Sequence, residues 1–440
     1  MNATMQEIEQ FMGIYFKMGL VKMPGYACFW ETDLRYNPVA DIMSRNRFQK
    51  LTSYLHIKNN NTVTEQEKED RAWKVRPWLD SLNATFSQVS PDEHQSIDEI
   101  MVAFKGRALL KQYMPKKPKK WGFKLWGRCD SSGFLHQFDV YQGRGSGLVG
   151  DAPNCGLGGN VVLMLCQSLP EKRNFKICAD NFFSNFAMIY ELKKRDMFYI
   201  GTVRKDRLHG APLKTEDLKK IGRGAHHSVI ETTRNLFLLR WYDNKCVNMV
   251  SSYVCATPVA PVRRYDRKKK EHINVEQPCI VRTYNSTMGG VDLLDMMCSL
   301  YKCHLKTRRW YFFIFYHTLT IALVNSWFLY KRDCKLMNVK NIMCLRKFQA
   351  QVSSALCQCE KRVRGRPSLG TPPPLKKNRV NPRPIADVQY DHIDHLPLYV
   401  DERQRCKCCS EKFSQVKCQK CGVHLCLNKN RNCFIAFHQK

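Results

Sequence analysis

Acidic residues are scarce in this chain. Its 440 residues include 39 aspartates and glutamates against 71 lysines and arginines, a formal net charge of +32 at pH 7. A field of this size is not expected of an ordinary cytosolic enzyme, and it favours a polyanionic partner. Nucleic acid is the simplest such partner, because lysine and arginine bind phosphates and release counterions. An anionic membrane is the weaker alternative.

The sequence also lacks the marks of a secreted protein. The first residues, MNATMQE, have no basic region of the kind that opens a secretory leader, so we expect an intracellular chain with reduced thiols. Of the 21 cysteines, seven crowd between residues 406 and 433. Under reducing conditions this crowding favours metal binding over disulfides.

One uncharged stretch is long enough to span a bilayer, WYFFIFYHTLTIALVNSWFLY at residues 310–330. Both of its flanks are basic, so they set no orientation in a membrane. Polar residues also interrupt it: His317, Thr318, Thr320, Asn325 and Ser326. We therefore expect a buried core helix.

Periodicity predicts helices before residue 95 and an α/β layer after it. Apolar residues recur at helical spacing within 5–57, where Ser44 is an expected N-cap, and again within 71–90, while 58–70 predict a polar loop. Strand-like runs begin with SIDEIMVAF, in which Asp98 should share a face with Ile100 and Val102, opposite Ile97, Glu99 and Met101. Helices are expected over Asn160–Leu169 and after Ser184 as a cap. Mixed strand pairing is predicted.

These patterns divide the chain into seven segments. Residues 206–281 predict a separate, partly β insertion, and residues 351–402 a basic, Pro-rich linker that cannot build a core. The predicted segments are helical (1–94), α/β core (95–205), insertion (206–281), core again (282–296), helical (297–350), linker (351–402) and cysteine-rich (403–440).

Residues 285–310, NSTMGGVDLLDMMCSLYKCHLKTRRW, are the most distinctive stretch. A helical period after Gly289 and Gly290 places Asp292 and Asp295 on one face, off the apolar stripe. Two carboxylates near a helix start suit either the helix dipole or a divalent metal. The cations that follow indicate a phosphodiester site, although a capped helix with a solvated basic end is the alternative. They are Lys302, Lys306, Arg308 and Arg309.

Two more acids lie on predicted strands. Asp98 sits among apolar residues, where a charge is costly unless it is paired or metal-bound, and Asp180 ends a buried strand. If both converge with Asp292, they could hold two divalent cations for in-line phosphoryl transfer. Separate capping or ion pairing of each acid is the alternative. The net charge favours the metal site.

Cations interleaved with aromatics between residues 111 and 128 are typical of a nucleic-acid groove. A solvated hairpin edge that lysines protect from pairing is the alternative. The residues are Lys111, Tyr113, Lys116, Lys117, Lys119, Lys120, Trp121, Lys124, Trp126 and Arg128. Further along, Arg364 and Arg366 lie in an RGRP run similar to an AT-hook core. A nuclear-import signal with Lys376 and Lys377 explains that run equally well, and we expect a nuclear protein.

Cysteine spacing near residue 440 predicts two interleaved zinc sites, since thiolates at such spacing hold tetrahedral Zn²⁺. A segment this short has too little core to fold without metal. His424 is the best eighth ligand, and Cys408 could replace a neighbour. The other expected ligands are Cys406, Cys409, Cys418, Cys421, Cys426, Cys433 and His438. The spacing does not tell a DNA-binding module from a protein-binding one.

Five blocks of the sequence resemble, in order, those of piggyBac-type transposases: SIDEIMVAFKGR, the KxYMPxKPxKWGFKLW run, ICADNFFSN, GTVR and the stretch at 285–310. The resemblance covers nearly the whole chain from about residue 5. It implies an α/β RNase H-like core inserted in an α-helical dimerisation and DNA-binding domain, followed by a cross-brace zinc domain.

The resemblance also implies chemistry. Catalytic acids fall on Asp98, Asp180 and Asp292, with Asp295 as a fourth, and Arg204 and Trp310 match positions at DNA. The implied cofactors are Mg²⁺ (or Mn²⁺) at the acids and two structural Zn²⁺. The implied reaction is cleavage of double-stranded DNA by a homodimer, with hairpin ends and joining at TTAA targets. The zinc domain would recognise transposon ends.

Family transposases usually begin with a longer acidic region, whereas this sequence starts almost at the helical domain. It is therefore also compatible with a domesticated or truncated copy, a catalytically silent DNA- or chromatin-binding protein. A zinc-module ubiquitin ligase or histone reader is a third hypothesis, which rests on the cysteine cluster alone.

Overall fold

The computed structural model of the chain describes residues 2–115, 117, 119–143, 154–214, 216–267, 269–358 and 384–439. These residues belong to two compact units, Met1–Lys361 and Arg362–Lys440. Each unit has a hydrophobic core of its own. Three of the expected DNA-binding residues lie outside the described residues: Lys116, Arg364 and Arg366.

Helices come first in the larger unit, as predicted. They are α1 (Met5–Leu20), α2 (Asn37–Ala40), α3 (Arg45–Tyr54), α4 (Glu65–Glu69) and α5 (Arg76–Phe86). The Ser44 hydroxyl caps α3 by accepting a hydrogen bond from the amide of Arg47, which confirms that prediction. The polar stretch predicted as a loop contains α4, because Thr64 and Glu67 form a capping box there.

A nine-stranded mixed sheet follows. Its strands are β1 (His94–Ala103), β2 (Gln112–Tyr113), β3 (Trp121–Asp130), β4 (Leu135–Val140), β5 (Lys176–Ala179), β6 (Phe198–Thr202), β7 (His226–Glu231), β8 (Leu236–Tyr242) and β9 (Cys246–Ser251). The order is β2-β3-β1-β5-β6-β9-β8-β7, and β4 also pairs with β3. β1 runs antiparallel to β3 and parallel to β5, and β5 is parallel to β6. Mixed pairing is therefore confirmed.

The predicted insertion does not form a separate sheet. β9 pairs with β6 through Ile200 and Ser251, so β7 to β9 extend the central sheet. Met249 and Val250 of β9 are buried in hydrophobic cores of the larger unit, and this burial explains why β9 joins the central sheet. Among the described residues of the predicted insertion, β10 (Ala260–Asp266) and β11 (Glu271–Gln277) form a separate two-stranded sheet. The short helix α8 (Glu216–Ile221) precedes β7.

Successive side chains of β1 face different cores, as the alternation predicts. Ile97 packs in a core with α6 (Gly156–Leu165) and α7 (Phe186–Lys194), whereas Ile100 and Val102 pack in the helical core on the other face. The sheet therefore separates two layers of helices.

Helix α7 starts differently from the prediction. Asn185 is its N-cap and accepts from the amide of Ala187 at 2.8 Å. The hydroxyl of Ser184, the expected cap, is buried instead and bonds to Tyr199 Oη at 2.7 Å. Ser184 therefore joins the turn before α7 to β6.

Four helices complete the larger unit: α9 (Cys279–Thr287), α10 (Gly290–Leu300), α11 (Trp310–Leu336) and α12 (Leu345–Gln358). α10 runs through the boundary predicted at 296 and 297, and it packs on β1 and β3. Gly290 permits this close contact, because a Cβ there would lie 2.2 Å from the Asp130 carbonyl oxygen and 2.5 Å from Ser96 Oγ.

The long apolar helix is a core element, which confirms the prediction. Within the described residues, α11 is the one helix that is long and apolar enough to cross a membrane, and 78% of its most apolar window is buried in the protein. Asn325 fastens it to β4, donating to the carbonyl of Leu135 at 2.9 Å and accepting from its amide at 3.0 Å.

The smaller unit contains α13 (Ala386–Gln389), β12 (Pro397–Arg405), β13 (Phe413–Cys418), β14 (Leu427–Asn428), β15 (Arg431–Asn432) and α14 (Cys433–His438). Gln389 donates to the carbonyl of Phe437 at 2.7 Å, so α13 is part of this fold. The folded segment therefore begins before residue 403, inside the predicted linker.

Candidate metal and nucleic-acid site

Asp98 and Asp180 lie side by side at one edge of the central sheet. The parallel pairing of β1 and β5 ends at Ile97 and Ala179, and an aspartate follows each of these residues: Asp98 within β1 and Asp180 just after β5. In open α/β sheets, the carboxyl ends of parallel strands are where ligands bind. The register therefore brings together two of the acids that the sequence analysis selected.

Helix α10 brings Asp292 and Asp295 to the same place. Its first residue, Gly290, packs against Ser96, two residues before Asp98. The charges of Asp98 and Asp292 both act on the ammonium of Lys117: burial lowers its pKa, but these acids and Glu99 raise it above the usual value. All four predicted acids thus lie around one part of the sheet edge.

Three acids of this site have raised pKa values, mainly because they are buried. Burial raises the pKa of Asp98 well above its usual range, and hydrogen bonding to Glu99 and its charge raise it further. Burial is also the main cause of the raised pKa values of Asp180 and Asp295. A divalent cation would stabilise the charged forms of these groups, so the donor set fits a metal that prefers oxygen ligands.

The acids are spaced more widely than the ligands of a closed metal cage. Among the described residues, the sets whose ligand atoms all lie within 4.8 Å of one another consist of cysteines and histidines. Mg²⁺ usually keeps several waters and takes only one or two carboxylates, with substrate phosphates completing its shell. The wider spacing of the acids leaves room for such waters and phosphates.

Glu99 is a fifth carboxylate here, and it was not among the acids predicted from the sequence. One of its oxygens lies 3.4 Å from Lys117 Nζ, and its amide donates to Asp98 Oδ1 at 2.8 Å. Its charge contributes to the raised pKa of Asp180. Strand alternation predicts that Glu99 faces away from Asp98. However, β1 pairs with β5 only as far as Ile97, so β5 does not separate Glu99 from Asp180, and alternation alone does not reveal that these two acids interact.

Two arginines hold the turn that carries Asp180. Arg207 donates to the carbonyl oxygens of Phe182 and Ser184, each at 2.9 Å. Arg204, one of the expected DNA-binding residues, is exposed and donates to Asn181 Oδ1 at 3.3 Å. Asp180 Oδ1 itself accepts from the amide of Phe182 at 2.8 Å. The position of this carboxylate therefore depends on a braced loop.

Lys124 lies beside the acids among aromatic rings. Its ammonium is 3.8 Å from the ring centre of Trp126 and 4.8 Å from that of Phe182. Burial lowers its pKa, although the charges of Glu99, Asp98 and Asp180 act in the opposite direction. The structure thus brings this predicted cation to the acidic edge.

The rest of the predicted basic patch divides into two groups. Lys119, Lys120 and Trp121 are exposed at the end of the β2–β3 hairpin, and Lys111 lies over the Trp121 ring at 4.8 Å. Arg128, by contrast, is 2% exposed and bonds to the carbonyl of Leu165 at 2.8 Å. Its guanidinium also bonds to Gln95 and Ser168, so it is a core residue and the expectation of a DNA-facing Arg128 is wrong.

The cations after α10 also differ from one another. Lys306 and Arg308 are exposed, and Trp310 is half-buried with its ring 5.7 Å from Phe123. Lys302 is turned inward and donates to His317 Nδ1 at 2.8 Å. Lys302 was included among the basic residues of this stretch, but burial lowers its pKa to about 8.

Arg309, which was expected to contact DNA, forms hydrogen bonds within the protein. Its guanidinium donates to the carbonyl oxygens of Thr52 and Leu55 at the end of α3, and it lies 4.0 Å from the ring centre of Phe312. These carbonyls have no partners within their own helix, so Arg309 satisfies them. Arg309 therefore joins α3 to α11.

The smaller unit holds two sets of side chains that could each bind a metal ion. In the first, Cys406, Cys409, Cys426 and Cys433 converge. Cys409 Sγ and Cys426 Sγ are 3.9 Å apart, close to the separation of about 3.8 Å that tetrahedral zinc with Zn–S bonds of about 2.3 Å requires. The second set is His395, Cys418, Cys421 and His438. Both donor sets fit zinc, and they interleave along the chain as expected.

The eighth ligand differs from the prediction. His395 joins the second set, with Nδ1 3.4 Å from Cys418 Sγ, and its other nitrogen lies 2.9 Å from Asp391 Oδ1. A carboxylate that orients a ligating imidazole in this way is typical of zinc sites. His424 is buried outside both sets, and Cys408 is exposed outside them. His395 was missed because it lies in the predicted linker.

Comparisons with known proteins agree with this architecture. The family model described as Transposase IS4 matches residues 1–327. Human PiggyBac transposable element-derived protein 3 is 31% identical over 444 residues, which cover 100% of this chain and 71% of the relative. Human PiggyBac transposable element-derived protein 2 is 29% identical over 415 residues, which cover 93% of this chain and 67% of the relative.

A solved structure has the same fold. The cryo-EM structure of a piggyBac transposase synaptic complex with hairpin DNA matches with a TM-score of 0.70 and 22% identity, covering 97% of this chain and 88% of that one. The solved structure supports the fold, and the family model and the human relatives support membership of the family. This chain belongs to the piggyBac family of transposases and transposase-derived proteins.

Proposed function

We propose that the chain is a DNA transposase that cuts and joins strands at TTAA sites. The observation that carries this proposal is the register of β1 and β5, which makes Asp98 and Asp180 neighbours beneath α10. We assign β1, β3, β4, β5 and β6 to an RNase H-like core. Three antiparallel strands followed by two parallel ones support that assignment.

Asp98, Asp180, Asp292 and Asp295 would hold Mg²⁺ or Mn²⁺, which when bound activates an attacking oxygen and stabilises a leaving one in phosphoryl transfer. The chain's own residues would position these acids and screen their charges. Arg207 holds the turn of Asp180, and Lys117 and Lys124 bring positive charge to a crowded acidic edge. The same lysines would attract the phosphates of a substrate strand.

Double-stranded DNA is the proposed partner. Its support is the net charge, the exposed cations near the acids and the hairpin DNA in the structural neighbour. The exposed candidates are Lys119, Lys120, Trp121, Arg204, Lys306 and Arg308. We further propose a nuclear homodimer in which two structural zinc ions hold the smaller unit. That unit would recognise the transposon ends.

Strand cleavage tests the proposal directly. The zinc-loaded chain would be incubated with Mg²⁺ and a TTAA-flanked duplex, and Asp98→Asn and Asp292→Asn would be compared with wild type. We expect nicks and hairpins from wild type only. Asp333→Asn is the matched control, since this aspartate is exposed on α11 beside Arg332 and should leave cleavage intact. Cleavage that survives both active-site changes would refute the assignment of the acids.

A catalytically silent DNA- or chromatin-binding protein is the second candidate. It is favoured by the names of the human relatives, which call them derived from transposable elements. Salt-dependent DNA binding without cleavage of any tested end would support it.

A further inference from the structure

The hairpin of β2 and β3 exposes two large aromatic side chains. Tyr113 and Trp121 are directly paired across the hairpin, and their ring centres are 4.6 Å apart. About half of each residue is open to solvent, 50% for Tyr113 and 47% for Trp121. A pair of aromatics exposed together is a candidate binding surface, whereas scattered apolar residues are not.

Cations surround this pair. The ammonium of Lys111 lies 4.8 Å from the Trp121 ring centre and is held there by a 2.8 Å bond to the carbonyl of Gly106. Lys119 and Lys120 precede Trp121 and are exposed. Charge on this surface therefore complements phosphates, while the rings offer flat apolar faces.

We propose that Tyr113 and Trp121 form a platform on which unpaired bases of a DNA strand stack. In a duplex the faces of the bases are covered by their neighbours, so an aromatic platform gains contact only where bases are unpaired. The lysines bind the phosphates of the same strand. This inference rests on the proposed function for its partner, DNA, and adds that part of the substrate is single-stranded.

The platform is near enough to the acids to hold bases close to a cut. Asp98 pairs with Gly127 across β1 and β3, six residues along β3 from Trp121. At about 3.3 Å per residue this distance is about 20 Å. Lys117, in the loop that connects β2 to β3, already reaches Glu99 at the acidic edge. A strand of a few nucleotides would therefore span both surfaces.

A binding assay tests this without requiring cleavage. The zinc-loaded full chain, with Ca²⁺ in place of Mg²⁺, would be mixed with a duplex ending in a TTAA single-stranded overhang that carries 2-aminopurine for one adenine. A blunt duplex of equal length is the comparison probe. We expect the overhang probe to bind about tenfold more tightly and its fluorescence to be quenched by stacking.

Substitutions locate the effect. Trp121→Ala should abolish the preference for the overhang and the quenching, and Trp121→Phe should retain part of both. Tyr190→Ala is the matched control, because Tyr190 is 47% exposed and carries Lys194 at 4.8 Å over its ring on α7. It should change neither quantity.

Two results would overturn the proposal. One is a wild-type chain that binds both probes equally without quenching. The other is an equal loss for both probes in Trp121→Ala, which would mark an ordinary duplex contact. If Trp121→Ala does not fold, wild type is compared on overhangs with and without bases, and equal affinity would refute stacking. A chain that stacks the overhang but never cuts would refute only the proposed cleavage.

Discussion

The guanidinium of Arg207 donates a hydrogen bond to the carbonyl oxygen of Phe182 at 2.9 Å. The same nitrogen also bonds to the carbonyl of Ser184 at 2.9 Å. Both acceptors lie in the turn that follows Asp180, and Arg207 itself comes from the loop after β6. A side chain from the next strand connection thus fixes the geometry of a candidate metal-binding acid.

Replacing Arg207 should affect the reaction more than DNA binding. With Arg207→Ala we expect cleavage to fall by about tenfold or more, since small displacements of a catalytic group are costly. The dissociation constant for a TTAA duplex should change much less. Single-turnover cleavage and equilibrium binding measure the two quantities. Arg207→Lys, which keeps a charged donor, should recover part of the rate, and equal losses in rate and binding would argue against positioning.

Adjacent arginines after α10 should have opposite effects. Arg309→Met removes the bonds to Thr52 and Leu55, and we expect the free energy of unfolding to fall by about 2–3 kcal/mol. Arg308→Met should leave it within about 0.5 kcal/mol, because Arg308 is exposed, while weakening DNA binding and reducing its salt dependence. Denaturant titrations and binding at several salt concentrations separate the two roles. The reverse pattern would contradict this assignment.

Zinc content should distinguish His395 from His424 in the smaller unit. His395→Ala removes a ligand of the second set, so we expect bound zinc to fall from two ions toward one per chain. His424→Ala should keep both ions. Elemental analysis after dialysis against a weak chelator gives the count. A chain that loses zinc through His424→Ala and not through His395→Ala would restore the ligand assignment predicted from sequence.

Lys302, which bonds to His317 of α11, should make stability depend on pH. Burial lowers the pKa of Lys302 to about 8, from 10.5 in the unfolded chain. Between these values the unfolded state binds more protons, so this group makes the free energy of unfolding rise with pH. Lys302→Met should therefore be more stable than wild type near pH 7, by at most about 3 kcal/mol before the lost bond to His317 is subtracted. The difference in unfolding free energy between Lys302→Met and wild type should become smaller toward pH 10.

Unfolding without divalent metal, at pH 7.5 and again at pH 9.5, measures this change. Taking the difference between variant and wild type cancels the other groups that titrate in this range. If the difference in unfolding free energy does not change with pH, folding does not disfavour the charged form of Lys302.

Local patterns predicted the elements that carry the chemistry. The apolar run at 310–330 is the core helix, and strand alternation placed Ile97 and Ile100 in different cores. The neighbouring positions of Asp98 and Asp180 follow from the parallel register of their strands. In the first two cases the signal was a run or a period in the sequence, whereas the register of β1 and β5 was seen only in the structure.

Apart from local differences such as the cap of α7 and the short helix α4, the errors concern contacts between distant segments. The sequence of residues 297–310 contains no signal that Arg309 bonds to Thr52, more than 250 positions away. Likewise, β9 joins β6, and β8 and β7 follow it in the sheet, because of buried residues that only the packed sheet brings together. His395 was missed for a similar reason, since its ligand partners begin with Cys418, across the intervening first set.

The interleaved order of the metal ligands has a consequence for biosynthesis. The second set needs His395 and also His438, so it stays incomplete until the ribosome has translated nearly all of the unit. The first set is likewise open until Cys433 has been made. Neither half would fold early around an ion of its own, because six of the eight ligands must stay accessible, and their thiols reduced, until Cys433 completes the first set.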